Sequence, residues 1–248
     1  MQRRCTTYRI LFFPAHDWAL RDPGLTERGF QQSRQLGAAL QQALPGRFDV
    51  QLVLVSPMRR TLQTAVEALD WLVGPSAAAA VPIRAHAGWQ ETTEHACDIG
   101  SDTAVLALDF PGVDFADVDP VFPDKTSPQA KAYAYSRQAL VTRAQTVLEE
   151  LHGRPEDVVL VVSHSAFLSR AVAGAMFGNA DYRIFSFEDS ETSADTTPRL
   201  CPPPMAVPGL PPLRYRLREW DETRQSHGGM GWSYDTVRAI GEGLPDRG

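Results

Sequence analysis

Short apolar blocks alternate along this chain with longer stretches in which apolar positions recur at helical spacing. Arg9 to Phe13 (RILFF) predicts a short buried strand, closed by Pro14, which has no N–H to offer a sheet ladder. Asp22-Pro23-Gly24 predicts a turn, and Thr26 followed by Glu27 a helix start. Leu36, Leu40 and Leu44 form the apolar stripe of that helix, which should end before Pro45-Gly46. Val50 to Val55 predicts a second strand, broken at Ser56-Pro57, and Leu62, Ala65, Val66, Leu69 and Val73 mark the core face of the next helix.

Pro82 to Ala87 predicts a third strand, Gly88 to Asp102 is polar and irregular, and the acidic, proline-bearing stretch Asp109 to Pro128 reads as an insertion or lid. Leu140, Ala144, Val147, Leu148 and Leu151 predict a long helix within Ala130 to Leu151. Val158 to Val162 is expected to be the central strand, with a helix from Phe167 to Phe177 after it. Strands and helices in this order point to an α/β fold, a three-layer α/β/α sandwich with a mostly parallel central sheet. One domain is expected over residues 1–248, with a core at about 8–190, a Ser/Thr/Pro-rich loop at 189–212, an edge strand at Leu213 to Glu219 and a loosely held tail to Gly248.

Composition narrows the partners. With 248 residues, 43% hydrophobic and 22% charged, the chain fits one ordinary globular domain. A net charge of -6 disfavours nucleic acid or an anionic membrane as a partner, yet leaves room for local basic groups that bind a small anion. Cys5, Cys97 and Cys201 show neither a CxxC pair nor metal-ligand spacing, so no metal or cofactor is expected and a reduced, cytoplasmic setting is the simplest inference. No run approaches the ~18 apolar residues of a membrane span. Nothing in the pattern specifies an oligomeric state.

Ligands in open α/β sheets bind beyond the carboxyl ends of the strands. His16 follows the first predicted strand, Arg59 and Arg60 follow the second, Glu91 lies beyond the third, and His164 ends the run Val158 to Val162. Each has a plain reading alone: a surface histidine, helix-opening arginines, a solvated loop carboxylate, a structural imidazole. Together they suit phosphoryl transfer. One imidazole can attack phosphorus, an arginine fork can bind two phosphate oxygens, and a carboxyl can protonate the leaving oxygen. Ser163 and Ser165, which flank His164, are further candidates for substrate binding.

Several motifs resemble those of the histidine phosphatase superfamily, also called the phosphoglycerate mutase-like family. Ser56-Pro57-Met58-Arg59-Arg60-Thr61-Leu62-Gln63-Thr64-Ala65 is similar to its S-P-L-x-R-A-x-Q-T-A segment, Val162-Ser163-His164 to its second histidine motif, and Leu25-Thr26-Glu27-Arg28-Gly29 to its L-T-x-x-G helix start. Gln90-Glu91 through Cys97-Asp98-Ile99-Gly100-Ser101 resembles the Q-E…C-D-x-G-S stretch of fungal members. The resemblance spans about residues 8 to 190. It implies that Arg60 binds phosphate, Glu91 donates a proton and His164 stabilises the transferring group. It further implies a metal-independent phosphatase acting on a small phosphorylated metabolite through a phosphohistidine.

The chain departs from the family pattern where the nucleophilic R-H-G or R-H-A motif belongs, reading Phe13-Pro14-Ala15-His16-Asp17. In one alignment His16 is the nucleophile and Ala15 replaces an arginine, a loss on the order of 10²–10³ in rate by analogy with an oxyanion donor. In the other, Ala15 to Pro23 corresponds to the H-D-Y…D-P-x-L-T loop that follows R-H-A in fungal relatives, and the nucleophile is missing. The second alignment implies a catalytically impaired pseudophosphatase, or a phospho-ligand-binding protein on the same fold.

Overall fold

Successive side chains of a strand point to opposite faces, so a sheet covered on both sides needs apolar residues at every position. Leu52-Val53-Leu54-Val55 meets that demand, and all four residues are buried. The computed structural model describes residues 19–75, 77, 80–188, 210 and 213–246. Its elements run α1 (Glu27–Ala43), β1 (Leu52–Val55), α2 (Arg59–Val73), β2 (Ile83–Ala85), α3 (Thr103–Asp109), α4 (Arg137–His152), β3 (Val159–Val162), α5 (Ser165–Phe167), β4 (Phe185–Phe187), β5 (Leu217–Glu219) and α6 (Asp221–Gln225). The predicted first strand, Arg9 to Phe13, and His16 lie outside the described residues.

Strands β2, β1 and β3 form a parallel sheet in that order. Val53 and Val55 pack with Ile83, Ala85 and the core faces of α1 and α2, while Leu52 and Leu54 pack on the other side with Leu140, Ala144 and Val147 of α4. The three-layer α/β/α arrangement thus follows from strand alternation. Among the described residues β1 is the middle strand of these three, with β3 beside it.

Local chemistry explains the helix starts. Thr26 Oγ1 accepts from Gly29 N at 3.2 Å and caps α1. Met58, at the start of α2, has no side chain able to cap. The buried Asp22 does it from a distance, accepting Arg59 N at 2.9 Å on Oδ1 and Ser101 N at 2.9 Å on Oδ2.

Three expectations are corrected. The helix foreseen from Ala130 breaks into a 3₁₀ turn, Pro128–Tyr133, and α4, because Ser136 Oγ accepts from Ala139 N at 3.3 Å and starts a new helix. The helix foreseen from Phe167 to Phe177 contracts to α5 and one π turn, Leu168–Val172, ahead of Gly174 at φ +72°. Leu217–Glu219, within the expected edge strand, pairs antiparallel with β4 and, among the described residues, with no other strand. The tail is docked: Leu244 is buried, Arg137 N donates to Pro245 O at 2.7 Å, and Asp181 accepts from Met230 N and Trp232 N. The acidic insertion is also packed, since Asp114 bridges to the free edge of β2 and Val113 and Phe122 are buried. No helix among the described residues is long and apolar enough to cross a membrane.

Helices α1 and α2 approach most closely at Gly37, where an added Cβ would lie 2.7 Å from Ala68 O and 3.1 Å from Ala68 Cα. Alanine favours an isolated helix by ~1 kcal/mol over glycine. Here Gly37→Ala should instead destabilise by roughly 1–3 kcal/mol through overpacking, read as a lower urea midpoint. A raised midpoint would contradict this crossing.

Candidate active site

Segment 89–100 has little regular structure, so its backbone carbonyls need donors from elsewhere. They find them on five other parts of the chain. Ser163 Oγ, at the end of β3, donates to Trp89 O at 2.8 Å. Arg143 Nη2 of α4 reaches Gln90 O at 3.0 Å, and Lys125 Nζ of the insertion reaches Glu91 O at 2.8 Å and Thr93 O at 2.9 Å. Arg60 Nη1, in the first turn of α2, donates to Cys97 O at 2.7 Å, and Arg21 Nε and Nη2 donate to Gly100 O at 3.2 and 3.1 Å. Four cations are thereby gathered around one loop that carries three carboxylates, Glu91, Glu94 and Asp98.

Three sequence candidates, Arg60, Glu91 and His164, line a single cleft together with Cys97, Asp98 and Tyr135. Arg60 is partly exposed to it, and its Nη2 also pairs with Asp98 Oδ1 at 3.1 Å. Asp98 is held in turn by the Thr93 hydroxyl at 2.5 Å. The carboxyl of Glu91 is pushed above the usual carboxylate range, first by burial and then by Asp98, against the opposing pull of Arg60, the Thr92 N–H and Lys125. A raised carboxyl keeps its proton nearer to neutrality, as a general acid requires.

His164 sits at the carboxyl end of β3, buried, with Nε2 2.9 Å from Ser56 Oγ at the end of β1. Burial, then Arg60, Lys125 and Arg143, hold its pKa well below the imidazole norm. It is a neutral hydrogen-bonding group.

The other candidates are placed differently. Arg59 pairs with Asp109 of α3 at 2.8 Å and lies near the Phe110 ring, apart from the residues around His164. Ser163 and Ser165 line the cleft, but their hydroxyls donate to Trp89 O and, at 2.9 Å, to Phe177 O. His16 lies outside the described residues.

Sequence reasoning missed Lys125 and Arg143. Arg143 is 4% exposed, stacks 4.1 Å from the Phe167 ring centroid, and leaves Nε and Nη1 without partners among the described residues. Burial lowers its pKa to about 10. Its signal was a charge on the buried stripe of α4, three residues after Leu140 and four before Val147. The signal for Lys125 was rarity, since the chain has 22 arginines and only two lysines.

A family model described as "Histidine phosphatase superfamily (branch 1)" matches residues 18–194 and so begins after His16. A Schizosaccharomyces pombe protein described as "Probable phosphatase" is 30% identical over 181 residues, covering 72% of this chain and 73% of its own. Among solved structures, the ecdysone phosphate phosphatase of Bombix mori, in complex with tungstate, aligns at a TM-score of 0.41 and 20% identity over 59% of this chain and 54% of that one. A mycobacterial glucosyl-3-phosphoglycerate phosphatase aligns at 0.34 and 18% over 61% and 68%.

The depressed pKa of His164 has a consequence for stability. An unfolded histidine binds a proton below about pH 6.5, whereas the folded one does not, so the unfolded state holds more protons there. This contribution is full above about pH 6.5 and is lost as pH falls, by up to about 1.4 kcal/mol per pH unit. The His164 imidazole NMR signals should not titrate between pH 7 and 5.5, and His164→Asn should flatten the acid slope of stability. A His164 midpoint near 6.5 would contradict the site as described.

Proposed function

This chain belongs to the histidine phosphatase superfamily, and we propose that it is a phosphatase hydrolysing a small phosphorylated metabolite through a phosphohistidine on His16. The observation that carries this reading is the meeting in one cleft of Arg60, His164 and Glu91, a carboxyl raised above its usual range. In the cycle, an imidazole nitrogen of His16 forms a bond to phosphorus while the ester P–O bond breaks. Glu91 gives its proton to the leaving oxygen. Water then attacks phosphorus, the Glu91 carboxylate takes its proton, and the P–N bond breaks to free phosphate and His16.

Arg60 would turn a guanidinium face to the phosphoryl oxygens. A dianion entering the site would favour protonation of His164, adding a donor as charge builds up on the transferring group. No step in this cycle calls for a metal ion.

A second reading follows from the alignment in which Ala15 to Pro23 is the loop that follows a missing R-H-A motif. On it the cleft binds a phospho-ligand without turnover. Phosphate release from a panel of phosphomonoesters, with mass analysis for an acid-labile phosphoryl group on His16, separates the two. The proposed phosphatase releases phosphate from at least one ester, loses roughly 10²–10⁴ in kcat in Glu91→Gln, and loses the labelled intermediate in His16→Ala. Absence of release from every ester, with no phosphoryl group on His16, sinks the catalytic reading and leaves the binding one.

A further inference from the structure

The catalytic cycle leaves two buried cations, Lys125 and Arg143, without a role. Lys125 is 2% exposed, and its Nζ grips the carbonyls of Glu91 and Thr93, on either side of Thr92. Thr92 N donates to Glu91 Oε1 at 2.8 Å, so the residues that Lys125 holds in place also orient the carboxyl. In a chain that otherwise uses arginine, a lysine here has a geometric reason. A compact ammonium can send separate protons to two carbonyls of a curved backbone, where a planar guanidinium would need more room.

We propose that Lys125 is the positioning residue of Glu91, holding its loop in place and setting a positive charge beside its carboxyl. The assignment rests on Glu91 serving as the proton donor in the reading above.

The segment that delivers Lys125 is itself fixed. Asp124 Oδ1 accepts from Thr126 N at 2.8 Å and Ser127 N at 3.1 Å, and Asp119 holds the Tyr133 hydroxyl at 2.7 Å. Phe122 packs so closely on Gly100 that an added Cβ there would lie 2.2 Å from its ring. The insertion is therefore a fixed wall carrying a cation into the site.

The charged groups facing Lys125 are Glu91 and Asp98, which favour the ammonium, and Arg143 and Arg60, which oppose it along with burial; the balance lowers its pKa to about 7. Glu91 faces the same set, with Asp98 raising its pKa and Arg60 and Lys125 lowering it, and His164 feels the same cations. Lys125 and Glu91 are thus linked reciprocally. Removing either charge must move the titration of the other.

The two-lysine composition makes this measurable. Lysine labelled with ¹³C at Cε gives two signals, from Lys125 and from the exposed Lys131, which acts as an internal reference. In wild-type protein Lys125 should titrate at about 7, far below the ordinary lysine range, and Glu91→Gln should lower its midpoint further, by about tenfold in proton affinity. Lys125→Met should raise the Glu91 carboxyl midpoint by a similar factor, and in a phosphatase should cut kcat about 10- to 100-fold with KM within about threefold. A Lys125 midpoint unmoved by Glu91→Gln overturns the proposal, and because that variant keeps the lysine, the result does not depend on Lys125→Met folding. Should wild-type protein release no phosphate, the proposed function fails while the lysine titration still decides the coupling.

Discussion

The structure depends on how the carbonyl oxygens of segment 89–100 are satisfied. A buried carbonyl without a donor costs on the order of 1–3 kcal/mol, and a loop outside any ladder has several. Here Ser163, Arg143, Lys125, Arg60 and Arg21 supply the donors from β3, α4, the insertion, α2 and the segment before α1. Meeting the backbone's needs in this way concentrates positive charge at the carboxyl ends of the strands. One set of bonds therefore both shapes the loop and makes a setting suited to an anion.

The same crowding explains the site's protonation pattern. Burial, and then the arginines and lysine packed around it, disfavour a charged imidazole, so His164 stays neutral, and burial beside Asp98 keeps the Glu91 carboxyl raised. Arg143, stacked on Phe167 with two donors unpaired among the described residues, is the most exposed in energetic terms, since a buried unpaired charge is expensive. In the proposed function, an incoming phosphate group would offer these cations a negative charge that the protein alone only partly provides.

Much of this was legible in the sequence, for identifiable reasons. Strand β1 and helices α1 and α2 carry complete apolar patterns, and Thr26 caps α1 where its position suggests. Arg60, Glu91 and His164 were found because strand ends in α/β folds are where ligands gather, and because their motifs resemble a family's. The failures arise where tertiary contacts override local pattern. Ser136 restarts α4, Gly174 cuts short the turn after β3, and Asp181 and Arg170 hold a tail that composition reads as loose. Lys125 and Arg143 escaped notice because their partners are backbone carbonyls distant in sequence, which leave no mark on residue spacing. His16, on which nucleophilic chemistry turns, lies outside the described residues.

The central claim is that segment 89–100 and its cations form an oxyanion site with Arg60 at its mouth. Titration of the purified protein with inorganic phosphate in a calorimeter tests it most directly, because binding does not require turnover. One phosphate should bind per chain, weakened at least about tenfold in Arg60→Met, the loss expected for a charge-assisted contact. Absence of phosphate binding at millimolar concentration, or binding indifferent to Arg60, would contradict the account.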